Sequence, residues 1–308
     1  MTRVALISQS ANLAYFGPLL QAAAPEIEVV VWPDPAFRDA EVAMCWNAPP
    51  GVYAEMPKLR LVHSIAAGVD NVVAGQDLRG LPVCRVVDPK LADGMVQYVL
   101  WAVLTFHRNL DIAAANQRNA VWKRPPLLPA EQCRVGLMGL GKLGGAIARQ
   151  LVALGYTVNG WSRSGQAIDG MTLFAGPESL NDFLAVTDVL VCVLPLTGET
   201  RGILGQRTFD ALPQGAAVVN CGRGEHLVAP DLVAALESGR LRGAVLDVFA
   251  TEPLPPDDVL WRTPGVIVTP HMATMASSAV VAQQVAQNVR RLAAGEPLAN
   301  VVDMSRGY

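Results

Sequence analysis

Three polar residues in the second half of the chain are of types that bind acids and move protons. Each follows a strand-like apolar run: Arg223 comes after 216–220, Glu252 after 244–248, and His271 after 266–269. The carboxyl ends of parallel strands share one edge of a sheet, where ligands bind. A guanidinium binds a carboxylate bidentately, and an imidazole exchanges a proton near neutral pH. The pattern therefore predicts a site for an acidic ligand that gains or loses a proton.

A glycine motif lies upstream of these three residues. Gly139, Gly141 and Gly144 have the spacing G-x-G-x-x-G, between a strand-like run at 134–138 and a helix-forming run at 146–154. In this setting the first glycine permits a tight turn, the second lets a diphosphate approach the backbone, and the third lets helix and strand pack closely. The motif predicts a dinucleotide site on the helix N-terminus, with Gly139, Gly141, Lys142 and Leu143 against the cofactor. A glycine-rich turn without a ligand is the alternative.

The end of the next strand indicates which dinucleotide is bound. An acidic residue about 20 residues past the glycines is typical of NAD sites. Here the run 157–161 ends in Ser162, Arg163 and Ser164, and the next acidic residue is Asp169. A guanidinium between two hydroxyls would bind a 2′-phosphate that a carboxylate would repel. We therefore predict NADPH in preference to NADH. A solvated surface charge is the alternative interpretation of Arg163.

The composition excludes several classes of protein. The chain has 308 residues, of which 51% are hydrophobic and 17% charged, and its net charge is −3. These values are typical of a globular enzyme of two domains and argue against nucleic-acid binding. We expect no targeting or membrane segment, because no long apolar run is present. Five separated cysteines and four single histidines indicate reduced thiols, no metal site and a cytoplasmic location.

Two series of short apolar runs predict two α/β domains with parallel sheets. The glycine motif opens only the second series, so the cofactor domain is not the N-terminal one. A helical stretch is expected at about 91–119. The last helix carries Val281, Val285, Val289 and Leu292 at helical spacing, and we expect it to cross back onto the first domain. The prediction is a substrate-binding domain of 1–97 plus 279–308 and a dinucleotide-binding domain of 98–278, with the site in the cleft between the sheets.

The motifs occur in one order along nearly the whole chain. The segment 63–70 reads HSIAAGVD and is followed by the glycine motif and then by the Arg, Glu and His segments. In this the chain resembles the D-isomer-specific 2-hydroxyacid dehydrogenase family and, within it, the NADPH-dependent glyoxylate/hydroxypyruvate reductases. The resemblance implies a Rossmann dinucleotide-binding domain inserted into a flavodoxin-like substrate domain, both doubly wound.

The resemblance also implies a role for each polar residue. Arg223 would bind the carboxylate of a small 2-oxo acid and polarise its carbonyl. His271 would be the general acid, and Glu252 would orient the imidazole and favour its protonated form. Chemistry supports these assignments independently, because reducing a carbonyl to an alcohol requires a proton as well as a hydride. His226 also lies near Arg223, but the order of Glu252 before His271 favours His271 as the acid.

The remaining site residues are less specific. In the first domain the loop of Ala66, Ala67 and Gly68 would offer amides to the substrate carboxylate, unless it is only a tight turn, and Trp46 would line the pocket, unless it is core. The resemblance implies a homodimer whose arm carries Trp122. Asp247 would contact the nicotinamide carboxamide or, alternatively, cap a turn. The other predicted cofactor contacts are Leu194, Pro195 and Cys221.

Three alternatives to glyoxylate or hydroxypyruvate reduction stay open. The same scaffold serves other 2-oxo acids and phosphite, whereas Glu252 argues against formate, whose oxidation transfers no proton. A dinucleotide-sensing interaction protein would share the fold and even the catalytic residues. The D-configuration of the product is implied by the resemblance alone.

Overall fold

Parallel strands alternate with helices throughout the computed structural model, which describes residues 1–163 and 167–303. The strands in chain order are β1 (Thr2–Ile7), β2 (Ile27–Val31), β3 (Val42–Cys45), β4 (Leu61–Ser64), β5 (Val83–Cys84), β6 (Arg134–Met138), β7 (Thr157–Ser162), β8 (Met171–Ala175), β9 (Val189–Cys192), β10 (Ala216–Asn220), β11 (Leu241–Leu246) and β12 (Val266–Val268). The helices are α1 (Phe16–Ala23), α2 (Asp70–Val73), α3 (Lys90–His107), α4 (Leu110–Arg118), α5 (Lys142–Ala153), α6 (Leu180–Ala185), α7 (Gln206–Ala211), α8 (Ala229–Glu237) and α9 (Ser278–Ala294).

The chain forms two compact units, one inserted into the other. The first contains Met1–Pro89 and the chain from Met275 onward, and the second is Lys90–Thr274. The predicted boundaries lie eight and four residues after these two junctions. The first of them, between residues 97 and 98, lies inside α3, because that helix is continuous from Lys90 to His107.

The first unit contains a five-stranded parallel sheet in the order β2-β1-β3-β4-β5. Its strands are apolar because helices cover both faces of a parallel sheet, and β3 and β4 are buried along their whole length. The last helix, α9, belongs to this unit. Val281, Val285 and Val289 form its buried face, and α9 packs against α1.

The second unit contains a seven-stranded parallel sheet in the order β12-β11-β10-β9-β6-β7-β8. Strand β6, which precedes the glycine motif, lies at the point where the strand order reverses. In sheets of this kind the crevice for a ligand opens at that reversal. The predicted fold class is confirmed for both units.

Two details of the second unit differ from the predictions. The helical stretch expected at 91–119 is divided into α3 and α4 at Asn109, whose φ is +55°. The side chain of Asn109 donates to the Pro126 carbonyl and accepts from Arg242, at 2.8 and 2.9 Å, and these bonds stabilise the break. Strand β8, with the sequence MTLFA, was not predicted; it lies at the edge of the sheet and none of its residues is fully buried.

Within the described residues, no helix is long and apolar enough to cross a bilayer. The same residues contain no cluster of three potential metal ligands among the His, Cys, Asp and Glu side chains. All five cysteines are buried free thiols.

Candidate active site

The glycine loop joins β6 to the N-terminus of α5. Gly139 has a φ of +102°, and a Cβ at Gly144 would lie 1.9 Å from the Gly139 carbonyl oxygen. Side chains are thus excluded at both positions by backbone geometry and by close packing. A Cβ at Gly141 would meet nothing within 4 Å, so the space beside this residue is open. The amides of Lys142 and Leu143 precede the first intrahelical hydrogen bond, from Gly145 to Gly141 at 2.8 Å, and lie where an anion is bound at a helix N-terminus. The loop fits a diphosphate.

Strand β7 ends at Ser162, beside β6 in the sheet. Arg163 follows it, with 73% of its side chain exposed and its Nη1 3.9 Å from Glu199 Oε2. The guanidinium therefore has the freedom to reach an anionic ligand. Ser164 lies outside the described residues.

The loops after β9 and β10 lie side by side at the same edge of the sheet. Leu194 and Cys221 are almost fully buried. The Cys221 amide donates to the Cys192 carbonyl at 3.0 Å, and burial raises the pKa of the Cys221 thiol well above its usual value. The Pro195 carbonyl accepts from Nε2 of His226 at 3.3 Å. The predicted cofactor contacts of these loops thus share one edge with the glycine motif.

Glu252 and His271 form a direct pair. Nδ1 of His271 lies 2.7 Å from Oε2 of Glu252, and Oε1 of the same carboxylate accepts from the Phe249 amide at 2.9 Å. About a third of each of the two paired side chains is exposed, 33% for His271 and 29% for Glu252. The pair is thus fixed on one side and accessible on the other.

Glu252 is held in its ionised form. Burial by itself would raise the pKa of Glu252, but the hydrogen bond and charge of His271, the Phe249 amide and the charge of Arg223 together lower it below its ordinary value. An ionised Glu252 accepts a hydrogen bond from the Nδ1–H group of His271. Nε2 is then the ring nitrogen that can exchange a proton with a ligand.

Asp247 organises the loop that carries His271. Its Oδ1 accepts from the Thr269 hydroxyl and the Met272 amide at 2.7 and 2.8 Å, and its Oδ2 accepts from the Ala273 amide at 2.9 Å. The Asp247 carbonyl accepts from the His271 amide at 2.8 Å. These bonds hold His271 at a φ of +52°, a conformation that few residues other than glycine adopt. The turn-capping alternative for Asp247 is therefore realised, and its cofactor contact stays a prediction.

Arg223 lies in a loop between two glycines. Its Nη1 donates to the Gly222 carbonyl at 2.8 Å, and its own carbonyl accepts from the Asn220 amide group at 3.0 Å. A Cβ at Gly224 would lie 1.8 Å from the Phe249 carbonyl carbon, so the Arg223 loop packs directly on the loop that leads to Glu252. The charge of Arg223 therefore acts on Glu252 and is one of the causes that lower its pKa.

The predicted residues of the first unit also share one sheet edge. Trp46 directly follows β3, and the loop of Ala66, Ala67 and Gly68 follows the neighbouring strand β4. The Ser64 hydroxyl shapes this loop by donating to Gly68 and accepting from Ala66, at 2.8 and 3.1 Å. Among the described residues, nothing accepts a hydrogen bond from the Ala67 and Gly68 amides. The loop therefore offers two donors, while Trp46 is half-buried.

Three residues that support the site were not predicted. The Thr269 hydroxyl joins Asp247 to the hydroxyl of Tyr98, which lies 2.5 Å away on α3. His226, set aside in the sequence analysis as a rival acid, contacts the Arg223 backbone. Thr269 could have been found from the sequence, because it lies two residues before His271 in the motif Thr-Pro-His. Tyr98 could not, because it is 171 residues away from Thr269 and no local pattern connects the two.

This arrangement can perform one kind of chemistry well. It has a guanidinium for an anion, an imidazole held by a carboxylate for proton transfer, and a glycine loop for a dinucleotide. These are the groups needed to protonate a carbonyl oxygen while a carbon beside a carboxylate is reduced.

Comparison with known proteins gives a consistent result. A model of the family described as D-isomer specific 2-hydroxyacid dehydrogenase, NAD binding domain, matches residues 100–273. A glyoxylate/hydroxypyruvate reductase A of Serratia proteamaculans (strain 568) is 39% identical over 292 residues, which cover 92% of this chain and 93% of that protein.

Two of the solved structures that match the whole chain have NADPH or NADP bound. The first is a D-isomer specific 2-hydroxyacid dehydrogenase from Xanthobacter autotrophicus Py2 in complex with NADPH and MES. It is 38% identical, with a TM-score of 0.88 and coverage of 100% of this chain and 99% of that one. The second is an NADPH-dependent glyoxylate/hydroxypyruvate reductase from Sinorhizobium meliloti in complex with NADP and sulfate. It is 34% identical, with a TM-score of 0.88 and full coverage of both chains, 100% each.

Proposed function

We propose, because this chain belongs to the D-isomer specific 2-hydroxyacid dehydrogenase family, that it reduces the small 2-oxo acids glyoxylate and hydroxypyruvate to 2-hydroxy acids with NADPH. The observation that carries this proposal is the 2.7 Å contact between His271 and an ionised Glu252. A dinucleotide enzyme that moved only a hydride would have no use for a proton donor held in this way.

Each residue of the site has one task in the proposed reaction. Arg223 binds the carboxylate of the 2-oxo acid and draws electron density towards the carbonyl oxygen. His271 gives that oxygen a proton from Nε2 as the carbon is reduced. Glu252 holds Nδ1, so that the imidazole keeps one orientation while its charge changes.

The cofactor supplies the hydride when it is bound. The protein's part is to place it. The open space beside Gly141 and the amides of Lys142 and Leu143 receive the diphosphate, while Arg163 binds the 2′-phosphate that distinguishes NADPH from NADH. Leu194, Pro195 and Cys221 are proposed to flank the rest of the cofactor.

The test is the initial rate of NADPH oxidation with glyoxylate, hydroxypyruvate, pyruvate and phenylpyruvate, with NADH measured in parallel. The initial rate of NADP⁺ and NAD⁺ reduction with phosphite is measured beside it. Fast turnover of glyoxylate and hydroxypyruvate with NADPH is expected. Turnover confined to phenylpyruvate or to phosphite with the oxidised cofactor would assign another substrate to the same site. Tight NADPH binding without any turnover would favour the dinucleotide sensor.

We further propose a homodimer formed through the second unit. Exposed apolar side chains are concentrated on α3, on α4 and in the segment that follows them, and include Trp101, Leu104, Leu110, Ile112, Val121, Trp122, Leu127 and Leu128. Burying such a surface against a second copy removes it from water. Light scattering should give the mass of two chains, and a Leu104→Glu variant should give the mass of one; a wild-type mass of one chain would contradict the proposal.

A cytoplasmic location is supported by the five buried free thiols.

A further inference from the structure

His226 is fully buried, and both nitrogens of its ring face loops that flank the candidate active site. Nδ1 lies 3.0 Å from the backbone nitrogen of Arg223. Nε2 lies 3.3 Å from the Pro195 carbonyl oxygen. One imidazole therefore joins the residue proposed to bind the substrate to a residue proposed to flank the cofactor.

The neighbours of the ring determine where its proton lies. The Arg223 amide is a donor, so Nδ1 must accept, and the Pro195 carbonyl is an acceptor, so Nε2 must donate. The Cys192 sulfur lies 3.7 Å from Nδ1. Burial raises the pKa of the Cys192 thiol to about 12, so at neutral pH it is a second, weaker donor towards the same nitrogen. His226 is thus a neutral imidazole that carries its proton on Nε2.

The Arg223 loop is built closely around this ring. A Cβ at Gly222 would lie 2.7 Å from Nδ1 of His226, so the loop has no room to shift towards the ring. The Asn220 side chain holds the Arg223 carbonyl and also accepts from the Gly222 amide, at 3.0 and 3.1 Å. His226 holds the amide of Arg223 and Asn220 holds its carbonyl, so the backbone that directs the guanidinium is fixed on both sides.

We propose that His226 is a positioning residue for the reaction: by accepting from the Arg223 amide, it orients the guanidinium towards the carboxylate of the 2-oxo acid. It acts through Arg223 and touches neither substrate nor cofactor. The proposal rests on the function proposed above for Arg223. His226 therefore contributes to substrate binding, although it does not take part in the proton transfer.

Three substitutions separate the acceptor function of the ring from its volume. In His226→Asn the Oδ1 atom takes the place of Nδ1 and can accept from Arg223, although the lost ring leaves a cavity. In His226→Gln the amide reaches the position of Nε2 and serves Pro195 instead. In His226→Phe the ring volume is kept without either hydrogen bond. We expect the KM for glyoxylate to stay within about threefold of wild type in H226N and to rise about tenfold or more in H226Q and H226F, since a lost hydrogen bond of about 1.5 kcal/mol is roughly tenfold.

His107 provides a matched control in the same unit. Both of its ring nitrogens are also engaged, with the Tyr156 hydroxyl at 2.9 Å and the Leu128 carbonyl at 2.8 Å. His107→Phe should lower the Tm and leave the KM for glyoxylate unchanged. If the KM values of the His226 variants follow their Tm values, or if H226N and H226Q are equally impaired, His226 is only structural and the proposal is overturned.

A second readout does not depend on turnover. In ¹⁵N NMR spectra of protein labelled at its histidine nitrogens, the His226 signals are identified as those that the wild type shows and H226N lacks. At pH 7 these wild-type signals should show a protonated Nε2 and an unprotonated Nδ1. A protonated Nδ1 would overturn the positioning role. A different result would overturn the proposed function and leave the hydrogen bond of His226 in place. In that case the wild-type protein shows the expected tautomer but neither reduces 2-oxo acids nor binds oxamate, an unreactive analogue.

Discussion

The loop that carries His271 and the end of β7 that carries Arg163 follow the same kind of parallel strand, yet they are held very differently. Hydrogen bonds to Asp247 fix the backbone around His271, and Glu252 fixes its ring at 2.7 Å. Arg163 is 73% exposed and has an ion pair of 3.9 Å with Glu199. Proton transfer requires that the donor lies within a few tenths of an ångström of the position from which it can reach the acceptor. A 2′-phosphate, by contrast, can be bound by an exposed charged side chain that is not held in one place. Substitutions in the first region should therefore reduce turnover, and those in the second should change only the choice of cofactor.

The largest effect is expected for His271→Ala. Positioned acid catalysis contributes about 10²–10⁴-fold, so kcat for glyoxylate should fall by about that factor with either cofactor. The Tm should also fall at pH 7, because Glu252 loses the hydrogen bond and the charge of His271 that lower its pKa. Steady-state kinetics measures this, and a variant that kept more than a third of wild-type turnover would remove His271 from the mechanism.

Glu252→Gln should have the next largest effect. Loss of a hydrogen bond to a charged group costs about 1.5–3 kcal/mol, or about 10- to 100-fold in kcat. Because the pKa of Glu252 is lowered in the folded protein, its carboxylate stabilises the fold above the pKa of the unfolded chain. This contribution is lost as the pH falls through the lowered pKa. The Tm of wild type should therefore exceed that of E252Q at pH 7, and the difference should vanish in acid; a constant difference would contradict the assignment.

Arg223→Lys tests whether the site needs a planar fork or only a positive charge. A lysine cannot bind a carboxylate bidentately, so we expect the KM for glyoxylate to rise about tenfold. The KM for NADPH should stay near the wild-type value. An unchanged KM for glyoxylate would place the substrate carboxylate elsewhere.

The smallest effect is expected for Arg163→Ala. An exposed ion pair is worth up to about 1 kcal/mol, so the KM for NADPH should rise about fivefold. The KM for NADH, kcat and Tm should not change. Arg207→Ala, which removes another exposed arginine on α7, is the control for overall charge. If R163A raised the KM for NADPH and the KM for NADH equally, Arg163 would not select the cofactor, and the proposed difference between the two regions would be wrong.

The sequence predicted those parts of the site that have a local signature. Gly139 and Gly144 could be identified from their spacing alone, because the turn excludes a side chain at both positions. Gly139 has a positive φ, and a Cβ at Gly144 would collide with the Gly139 carbonyl. Glu252 and His271 are identified because each follows an apolar strand. The support of the site was not predicted, since Tyr98 meets Thr269 across 171 residues and the contact of Pro195 with His226 depends on how two loops pack. Asn109 likewise divides the predicted helix through contacts with Pro126 and Arg242 that no local pattern shows.

We propose that this chain couples NADPH oxidation to reduction of a 2-oxo acid. The most direct test incubates the wild-type protein with NADPH and glyoxylate and measures both NADP⁺ and glycolate. We expect one glycolate to form for each NADPH oxidised, and hydroxypyruvate to give glycerate in the same ratio. NADPH that binds but yields no 2-hydroxy acid from either substrate would contradict it.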